Sequence, residues 1–364
     1  MSERRIRSLG IEREGQAYIH DYMEGTPADE HVRLETLYTG LSAGTELTFL
    51  KNTNPYFHSR WDADRGVFLP GEAGIGYPVP FLGYMEVARV IESRSSAFAR
   101  DDVLATTYGH KTGHTADPKR DVLIRLPAGF DPLLGVFVAQ MGPIAANGIL
   151  HADAEFYGSE VVSLGQSLRD RPILVIGAGA VGVMTALFAR RAGAAEVVVA
   201  DPSPFRRQRL KLMGFISMDE EDAWRHARAH WHSGGERGAD FVFQTRAHAV
   251  SLHTALRALR PQGTVIDLAF YQGGADALQL GQEFHHNGLG IRCAQINRVP
   301  RGLGYHWDRR RLALETVALL RDESASILRD MITHIVEFNE APAFLSALLG
   351  RRADFMQIVF KVAD

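Results

Sequence analysis

Three glycines spaced as G-x-G-x-x-G form the pattern in this chain that most directly indicates chemistry. They follow a short apolar run and open a helical pattern, and the segment consists of Gly177, Ala178, Gly179, Ala180, Val181 and Gly182. In such a segment the first glycine permits a tight turn, the second lets the backbone approach a pyrophosphate, and the third lets helix and strand pack closely. Free N–H groups at the helix N-terminus favour negative charge. We therefore predict that Gly177 to Gly182, Ala180 and Val181 included, bind a dinucleotide.

An acidic residue follows the next predicted strand, nineteen residues beyond the last glycine of the motif. This residue, Asp201, can accept hydrogen bonds from the adenosine ribose hydroxyls and would repel a 2′-phosphate. NAD is therefore the predicted cofactor. Arg206 lies close behind and could hold a phosphate, so NADP is kept as the less favoured alternative.

The elements around the motif alternate between apolar strands and amphipathic helices. The predicted strands are Ile173–Ile176, Glu196–Ala200, Asp240–Gln244, Thr264–Ala269 and Ile291–Ala294. The predicted helices are Val181–Arg191 and Ala249–Leu259. Alternation of this kind implies a parallel sheet covered on both faces. We expect an α/β protein with a Rossmann-type, doubly wound parallel sheet.

The chain up to about residue 150 is predicted to be rich in β-structure. Its candidate strands are His31–Tyr38, Tyr84–Ile91, Val103–Thr107 and Val122–Leu126. Between the first two lies Asn52–Pro80, a long segment with little periodicity and many aromatic residues, which we interpret as an ordered flap. The C-terminal block is predicted as helices at Asp308–Leu320 and Glu340–Leu349, followed by a strand at Met356–Val362.

Length and charge exclude several classes of protein. The 364 residues suggest two domains, and a net charge of −3 argues against a protein that binds nucleic acid or a membrane surface. The charged N-terminus is followed by neither an apolar signal region nor a membrane-spanning run. A cytoplasmic location is expected.

Cys293 is the single cysteine. One thiol excludes an intramolecular disulfide and any zinc site built from several thiolates. Because Cys293 falls in a predicted strand, we expect it to be buried and inert.

Several segments resemble the medium-chain dehydrogenase/reductase superfamily, to which the zinc alcohol dehydrogenases belong. Thr39–Glu46 (TGLSAGTE) is similar to the S-G-I-C-G-T-D segment that carries a zinc ligand, and Phe81–Val90 (FLGYMEVARV) is similar to G-H-E-x-x-G-x-V. Ile332–His334 with Glu340–Ala341 is similar to the C-terminal T-H…E-A signature. The SAGTE sequence, together with WDRRR at Trp307–Arg311, is closest to bacteriochlorophyllide hydroxyethyl dehydrogenase-like proteins, although their substrate does not follow from the likeness.

The resemblance implies a GroES-like partial β-barrel beside the Rossmann domain. The barrel, the catalytic domain, would comprise residues 1–152 and be completed by 298–364, and the Rossmann domain would comprise 153–297. Family members often dimerise, and pairing through the edge strand near Ile291–Gln295 is expected here.

The family's usual zinc ligands are replaced in this chain. The cysteine position falls on Ser42 or Ala43 and the histidine position on Tyr84, and neither hydroxyl is a good zinc ligand at neutral pH. We therefore expect no metal. Catalytic candidates by the resemblance are Thr45 at the position of a hydroxyl proton relay, Glu46 after it, and Tyr84 as a hydrogen-bond donor. A turn cap, a structural ion pair and core packing are the respective alternatives.

A loop with two histidines, Tyr108–His114, would face the substrate cleft by the same resemblance. His110 suits proton transfer near neutral pH, and Lys111 could polarise a carbonyl. A solvated polar loop is the alternative for both histidines. A non-standard metal site formed by His110, His114 and Glu46 is a further alternative.

The predicted function is that of a zinc-independent, NAD-dependent dehydrogenase acting on a secondary alcohol or ketone. The mixture of polar and aromatic residues in the flap suits a polar ring such as a sugar, cyclitol or glycoside. The candidate substrate contacts are Tyr56, Trp61, Lys111 and Asn147. A quinone or enone reductase and a catalytically inactive nicotinamide-binding sensor are the alternatives.

Overall fold

The computed structural model describes residues 3–233, 235–350 and 354–363. From the N-terminus the elements are β1 (Arg4–Arg13), β2 (Gln16–Glu24), β3 (Val32–Gly40), α1 (Ala43–Leu50), β4 (Ser59–Asp62), β5 (Val67–Pro70), β6 (Glu86–Ser93), β7 (Val103–Thr106), β8 (Gly113–Ala116) and β9 (Leu123–Arg125). Short 3-10 helices occupy Pro55–Phe57 and Pro132–Phe137.

The middle of the chain alternates helices with strands. It contains α2 (Met141–Tyr157), β10 (Pro172–Ile176), α3 (Ala180–Arg191), β11 (Glu196–Ala200), α4 (Pro204–Leu212), β12 (Ile216–Met218), α5 (Glu220–His230), β13 (His232–Ser233), β14 (Glu236–Arg237), β15 (Ala239–Gln244), α6 (Ala249–Ala258), β16 (Leu259–Asp267), α7 (Glu283–His286) and β17 (Gly290–Cys293). The last elements are α8 (Arg309–Ser326), a π-helical turn (Ile327–Met331), β18 (Ile332–Glu337), a 3-10 turn (Phe338–Glu340), α9 (Ala341–Gly350) and β19 (Gln357–Lys361).

The chain forms two compact units. Unit 1 contains the described parts of residues 1–140, 334–353 and 358–364, and unit 2 contains those of 141–333 and 354–357. The domain boundary expected at 152/153 falls inside α2, because this helix packs along its length on α3 and α8 of unit 2. The boundary expected at 297/298 lies within unit 2, which extends to Thr333.

Unit 1 is built on a largely antiparallel sheet. Its strand order is β18-β19-β3-β6-β7-β9, and β8 also pairs with β3. Alternating side chains of the central strands form a buried cluster that includes Leu34, Val90 and Leu104. Two separate antiparallel hairpins, β1–β2 and β4–β5, complete the unit, and the second of them lies within the segment predicted as a flap.

Unit 2 contains a six-stranded parallel sheet. Its order is β12-β11-β10-β15-β16-β17. Counted in chain order within the parallel sheet, this is 3-2-1-4-5-6, the arrangement of dinucleotide-binding Rossmann domains. Every residue of β15 is buried, as expected of a central parallel strand covered on both faces. The predicted α/β fold is confirmed.

The expectation that Cys293 is buried is wrong. The residue is exposed, because β17 is the edge strand of the parallel sheet and pairs on one side only with β16. In the described part of the chain, no helix is long and apolar enough to cross a membrane.

Candidate active site

Two hydroxyl groups of unit 1 are hydrogen-bonded to each other where the sequence resemblance places zinc ligands. Ser42 lies immediately before α1, and its Oγ pairs with the Tyr84 hydroxyl in the segment before β6. Thr45 also lies beside the Tyr84 hydroxyl. Burial, and secondly the charge of Glu46, raise the pKa of Tyr84. The phenol therefore stays protonated near neutral pH and can donate a hydrogen bond.

A buried carboxylate and a buried imidazole lie beside this hydroxyl pair. Glu46 Oε1 accepts the backbone N–H of Ser42 at 2.8 Å, and Glu46 Oε2 lies 2.6 Å from His110 Nε2. The other ring nitrogen of His110 lies 2.7 Å from Thr39 Oγ1. His110 is fully buried, and both of its nitrogens are engaged. This geometry favours a positioning role for His110, in which it orients Glu46, which in turn fixes Ser42.

Two glycines allow the segment that carries Tyr84 to approach the segment that carries His110. At Gly83 (φ +91°) an added Cβ would lie 2.9 Å from His110 Nε2. At Gly109 an added Cβ would lie 1.9 Å from the carbonyl oxygen of Leu82, which accepts the His110 backbone N–H at 2.8 Å. A side chain at either position would force the two segments apart.

His114 is also buried, but it belongs to a different cluster. Its Nδ1 lies 3.5 Å from Glu86 Oε1 in the interior of the antiparallel sheet. The hydroxyls of Thr36 and Thr106 each donate to Glu86 at 2.5 Å. The solvated polar loop considered for the two histidines is therefore not observed, because both ring systems pack inside unit 1.

The candidate residues of unit 1 do not supply the donor set of a zinc site. Glu46 and His110 bond to each other, while His114 pairs with Glu86 instead of joining them. At the positions that the sequence resemblance assigns to zinc ligands stand the Ser42 and Tyr84 hydroxyls, which bind zinc only after losing a proton of high pKa. Among the described residues, no group of three or more His, Cys, Asp or Glu side chains is arranged to hold a metal ion.

The predicted flap is ordered and connected to α1. Asn54, which sequence reasoning did not single out, is buried and donates to Thr48 Oγ1 at 2.7 Å; Thr48 in turn donates to the carbonyl of Thr45 at 2.5 Å. Tyr56 and Trp61 stand at the outer end of this segment and each packs edge-on against Phe68. Trp61 is 43% exposed. These aromatic side chains are thus held in place and partly open to solvent.

In unit 2 the glycine motif has the geometry of a dinucleotide turn. Gly177 follows β10 with φ +104°, and an added Cβ on Gly182 would lie 1.8 Å from the Gly177 carbonyl oxygen. By contrast, an added Cβ on Gly179, at the N-cap of α3, would meet no described atom within 4 Å. The motif leaves room beside the N-terminal turn of α3, which includes Ala180 and Val181, and the residues present fit a pyrophosphate there.

Asp201 lies at the carboxyl end of β11 next to this turn. Its two oxygens accept the backbone N–H groups of Ala178 and Ser203, each at 2.8 Å. Arg206 Nη1 lies 3.8 Å from the same carboxylate. Asp201 therefore supports the glycine turn, and an arginine stands beside it.

Asn147, another predicted substrate contact, is fully buried on α2. Its Nδ2 lies within 3.4 Å of the carbonyl oxygens of Ala294, Gln295 and Arg298, and His151 Nε2 lies 2.9 Å from the Arg298 carbonyl. These contacts hold the loop that follows β17. The burial of Asn147 favours this positioning role over direct contact with a substrate.

Comparison with known proteins identifies relatives in sequence. The family described as "Zinc-binding dehydrogenase" matches residues 180–298. D-guloside 3-dehydrogenase of Escherichia coli K12 is 24% identical over 333 residues, which cover 90% of this chain and 91% of that protein.

Solved structures match over nearly the full length. Alcohol dehydrogenase TADH from Thermus sp. ATN1 superposes with a TM-score of 0.73 at 18% identity and covers 98% of this chain and 100% of its own. A zinc-binding dehydrogenase from Sinorhizobium meliloti 1021, bound to NADP, superposes with a TM-score of 0.70 at 17% identity, with coverage of 98% and 99%. At these identities the structures establish the shared fold.

Proposed function

We propose that this chain is a zinc-independent, NAD(H)-dependent oxidoreductase of the medium-chain dehydrogenase/reductase superfamily. It would transfer a hydride between nicotinamide and a secondary alcohol or ketone carbon. The observation that carries the proposal is the hydroxyl pair of Ser42 and Tyr84, supported by Glu46, at the positions that the sequence resemblance assigns to zinc ligands.

Tyr84 is the residue that we assign to the substrate oxygen. Its phenol, kept protonated by burial and by the charge of Glu46, donates a hydrogen bond to the carbonyl. When a ketone is reduced, the Tyr84 proton would pass to the carbonyl oxygen as the carbon gains a hydride. The Ser42 hydroxyl would stabilise the resulting phenolate by donating a hydrogen bond, and Tyr84 would regain its proton from water. Oxidation of an alcohol follows the reverse order.

Other side chains of this region would position the pair. Glu46 and His110 hold Ser42 through the Glu46 contact to its backbone N–H, and Thr45 adds a hydroxyl beside Tyr84. The bound nicotinamide supplies or accepts the hydride. Gly177, Gly179, Ala180, Val181 and Gly182 would bind its pyrophosphate. Asp201 would bind the ribose hydroxyls, which favours NAD, while Arg206 keeps NADP as the alternative.

The substrate that we propose is a polar ring compound, a sugar, cyclitol or glycoside. The full-length relative that acts on D-gulosides supports this class. Tyr56 and Trp61 offer exposed aromatic surface for the apolar face of such a ring, and Lys111 offers a cation.

The proposal is tested by binding and by turnover. NADH and NADPH are titrated by fluorescence, and polyols, methyl glycosides and enones are then screened for absorbance change at the nicotinamide band. We expect tighter NADH binding and turnover of polyols or glycosides. A preference for NADPH would contradict the role of Asp201, turnover of enones alone would indicate an enone reductase, and NADH binding without turnover would indicate a sensor.

The role of Tyr84 is tested by Tyr84→Phe. Loss of a general acid is expected to lower kcat by about 100-fold, with a small effect on KM. Tyr157→Phe, at an exposed position on α2, is the matched control and should leave kcat unchanged. An unchanged kcat in the Tyr84→Phe variant would refute the mechanism, as would stoichiometric zinc whose removal abolishes activity.

A further inference from the structure

Lys111 lies among aromatic rings in unit 1. Its Nζ is 4.4 Å from the ring centroid of Phe81, 5.6 Å from that of Tyr22 and 5.8 Å from that of Tyr108. The side chain is half-buried, whereas Phe81 is 53% exposed. The ammonium therefore lies next to an aromatic ring that is accessible from solvent.

This cation has no counter-ion in the part of the chain that the structure describes. No described carboxylate oxygen lies within 4.0 Å of its nitrogen, and no described acceptor forms a hydrogen bond with it. The nearby carboxylates have other partners: Glu24 pairs with Arg4 at 2.6 Å, and Glu86 pairs with His114 and two threonine hydroxyls. The N–H donors of Lys111 are thus available to a ligand.

The choice of lysine at this position is itself unusual for the chain. The sequence contains five lysines among its 40 Lys and Arg residues. Three of the other four lysines, Lys51, Lys119 and Lys211, are exposed. An ammonium is a compact charge with three donors, unlike the planar guanidinium that the chain uses almost everywhere else.

Burial disfavours the charged form of Lys111, whereas the surrounding aromatic rings favour it. Burial lowers the pKa of Lys111, while Glu86 and Glu24 oppose that shift. The faces of three aromatic rings attract a cation and help to keep the amine charged without a carboxylate partner. A charged amine held in this way attracts an oxygen anion more strongly than a fully hydrated surface lysine would.

We propose that Lys111 and Phe81 recognise a carboxylate carried on a sugar ring, so that the preferred ligands are uronates over neutral sugars. The single positive charge matches one carboxylate, and the exposed ring of Phe81 packs against the apolar face of the sugar. This inference rests on the proposed function, from which we take a sugar as the ligand. It narrows the proposed substrate class to sugars that carry a carboxylate.

The test is calorimetric titration of D-glucuronate and D-glucose into the full-length protein without cofactor. The wild type should bind D-glucuronate about tenfold more tightly than D-glucose at low salt, and added salt should reduce the difference. Lys111→Met should abolish the preference, and Lys119→Met, at an exposed lysine, should retain it. Equal affinities in the wild type, or a preference that survives in Lys111→Met, would overturn the proposal.

Two further variants separate charge from packing. Lys111→Arg keeps the charge and should keep the preference for D-glucuronate over D-glucose. This variant tests the proposal even if Lys111→Met does not fold. Phe81→Ala should weaken the binding of both sugars, because it removes the apolar packing surface. Tyr22 and Tyr108 still face the ammonium, so a preference for D-glucuronate should remain. Loss of that preference would contradict the division of roles between Lys111 and Phe81. Because no turnover is measured, the result stands independently of the dehydrogenase assay.

Discussion

Glu86 is a carboxylate in the interior of the antiparallel sheet, and its partners decide its protonation. Burial, the largest single influence, acts to raise the pKa of Glu86. The neighbouring His114, and after it the hydroxyls of Thr106 and Thr36, outweigh burial, and the pKa of Glu86 is lowered. A carboxyl group with a depressed pKa in the folded state stabilises the fold above its unfolded pKa, and this contribution is lost as the pH falls.

Glu86→Gln is therefore expected to destabilise the protein in a pH-dependent way. At neutral pH the free energy of unfolding should fall by about 2 kcal/mol or more, because hydrogen bonds to a buried charge are lost. The difference from the wild type should shrink as the pH falls below the ordinary glutamate pKa of 4.5. Urea unfolding at neutral and acidic pH measures it.

The matched control for this prediction is Glu12→Gln, at an exposed glutamate of the β1–β2 hairpin. It should change the free energy of unfolding little at either pH. A Glu86→Gln effect that stays constant or grows on acidification would contradict the assignment.

At the residue scale, the motifs drew attention to side chains that contact one another. Ser42, Thr45, Glu46 and Tyr84 lie together in unit 1, and their role in catalysis stays a prediction. Sequence reasoning could not identify the partners of His110 and His114. Their partners, Thr39 and Glu86, are distant in sequence and come into contact with the histidines only in the folded chain. Asn54 gave no signal, since an isolated Asn in a polar segment has no distinctive pattern.

At the scale of elements, two glycines of the turn before α3 have different roles, one in packing and one in leaving room for a ligand. Gly182 is required by packing, because an added Cβ would clash with backbone, whereas Gly179 faces open space and has an ordinary φ of −82°. Gly179→Ala should leave the melting temperature close to that of the wild type but weaken NADH binding by about tenfold, since the methyl group occupies the approach of the pyrophosphate.

The contrast is provided by Gly182→Ala, which should lower both the melting temperature and the affinity for NADH. Thermal melting and fluorescence titration measure the pair of variants. If Gly179→Ala binds NADH as tightly as the wild type, the dinucleotide does not lie against this turn.

Element prediction succeeded where strands are buried on both faces. The predicted Glu196–Ala200 has the observed bounds, and Ile173–Ile176 differs from β10 by one residue. The β1–β2 hairpin was not identified as two strands, because its charged residues interrupt the apolar alternation. Arg4, for example, pairs across the hairpin with Glu24, an interaction that a single sequence does not reveal.

At the scale of the whole molecule, the parallel sheet ends in two edge strands, β12 and β17. An edge strand presents unpaired N–H and C=O groups to another chain. We propose that β17 pairs with its counterpart in a homodimer, as the resemblance implies for this edge. Its side chains Ile291, Arg292 and Cys293 are exposed in the single chain, which is consistent with an edge that a second copy covers.

The two edges of one sheet allow a controlled test of this dimer. Ile291 on β17 is 38% exposed and Ile216 on β12 is 47% exposed, so the same change can be made at both edges. Ile291→Lys should convert a dimer to a monomer in light scattering, because a lysine facing its own symmetry mate is desolvated and repelled. Ile216→Lys should leave the dimer intact. A wild-type monomer would overturn the proposed dimer, and a dimer broken by the β12 variant alone would place the contact at the other edge.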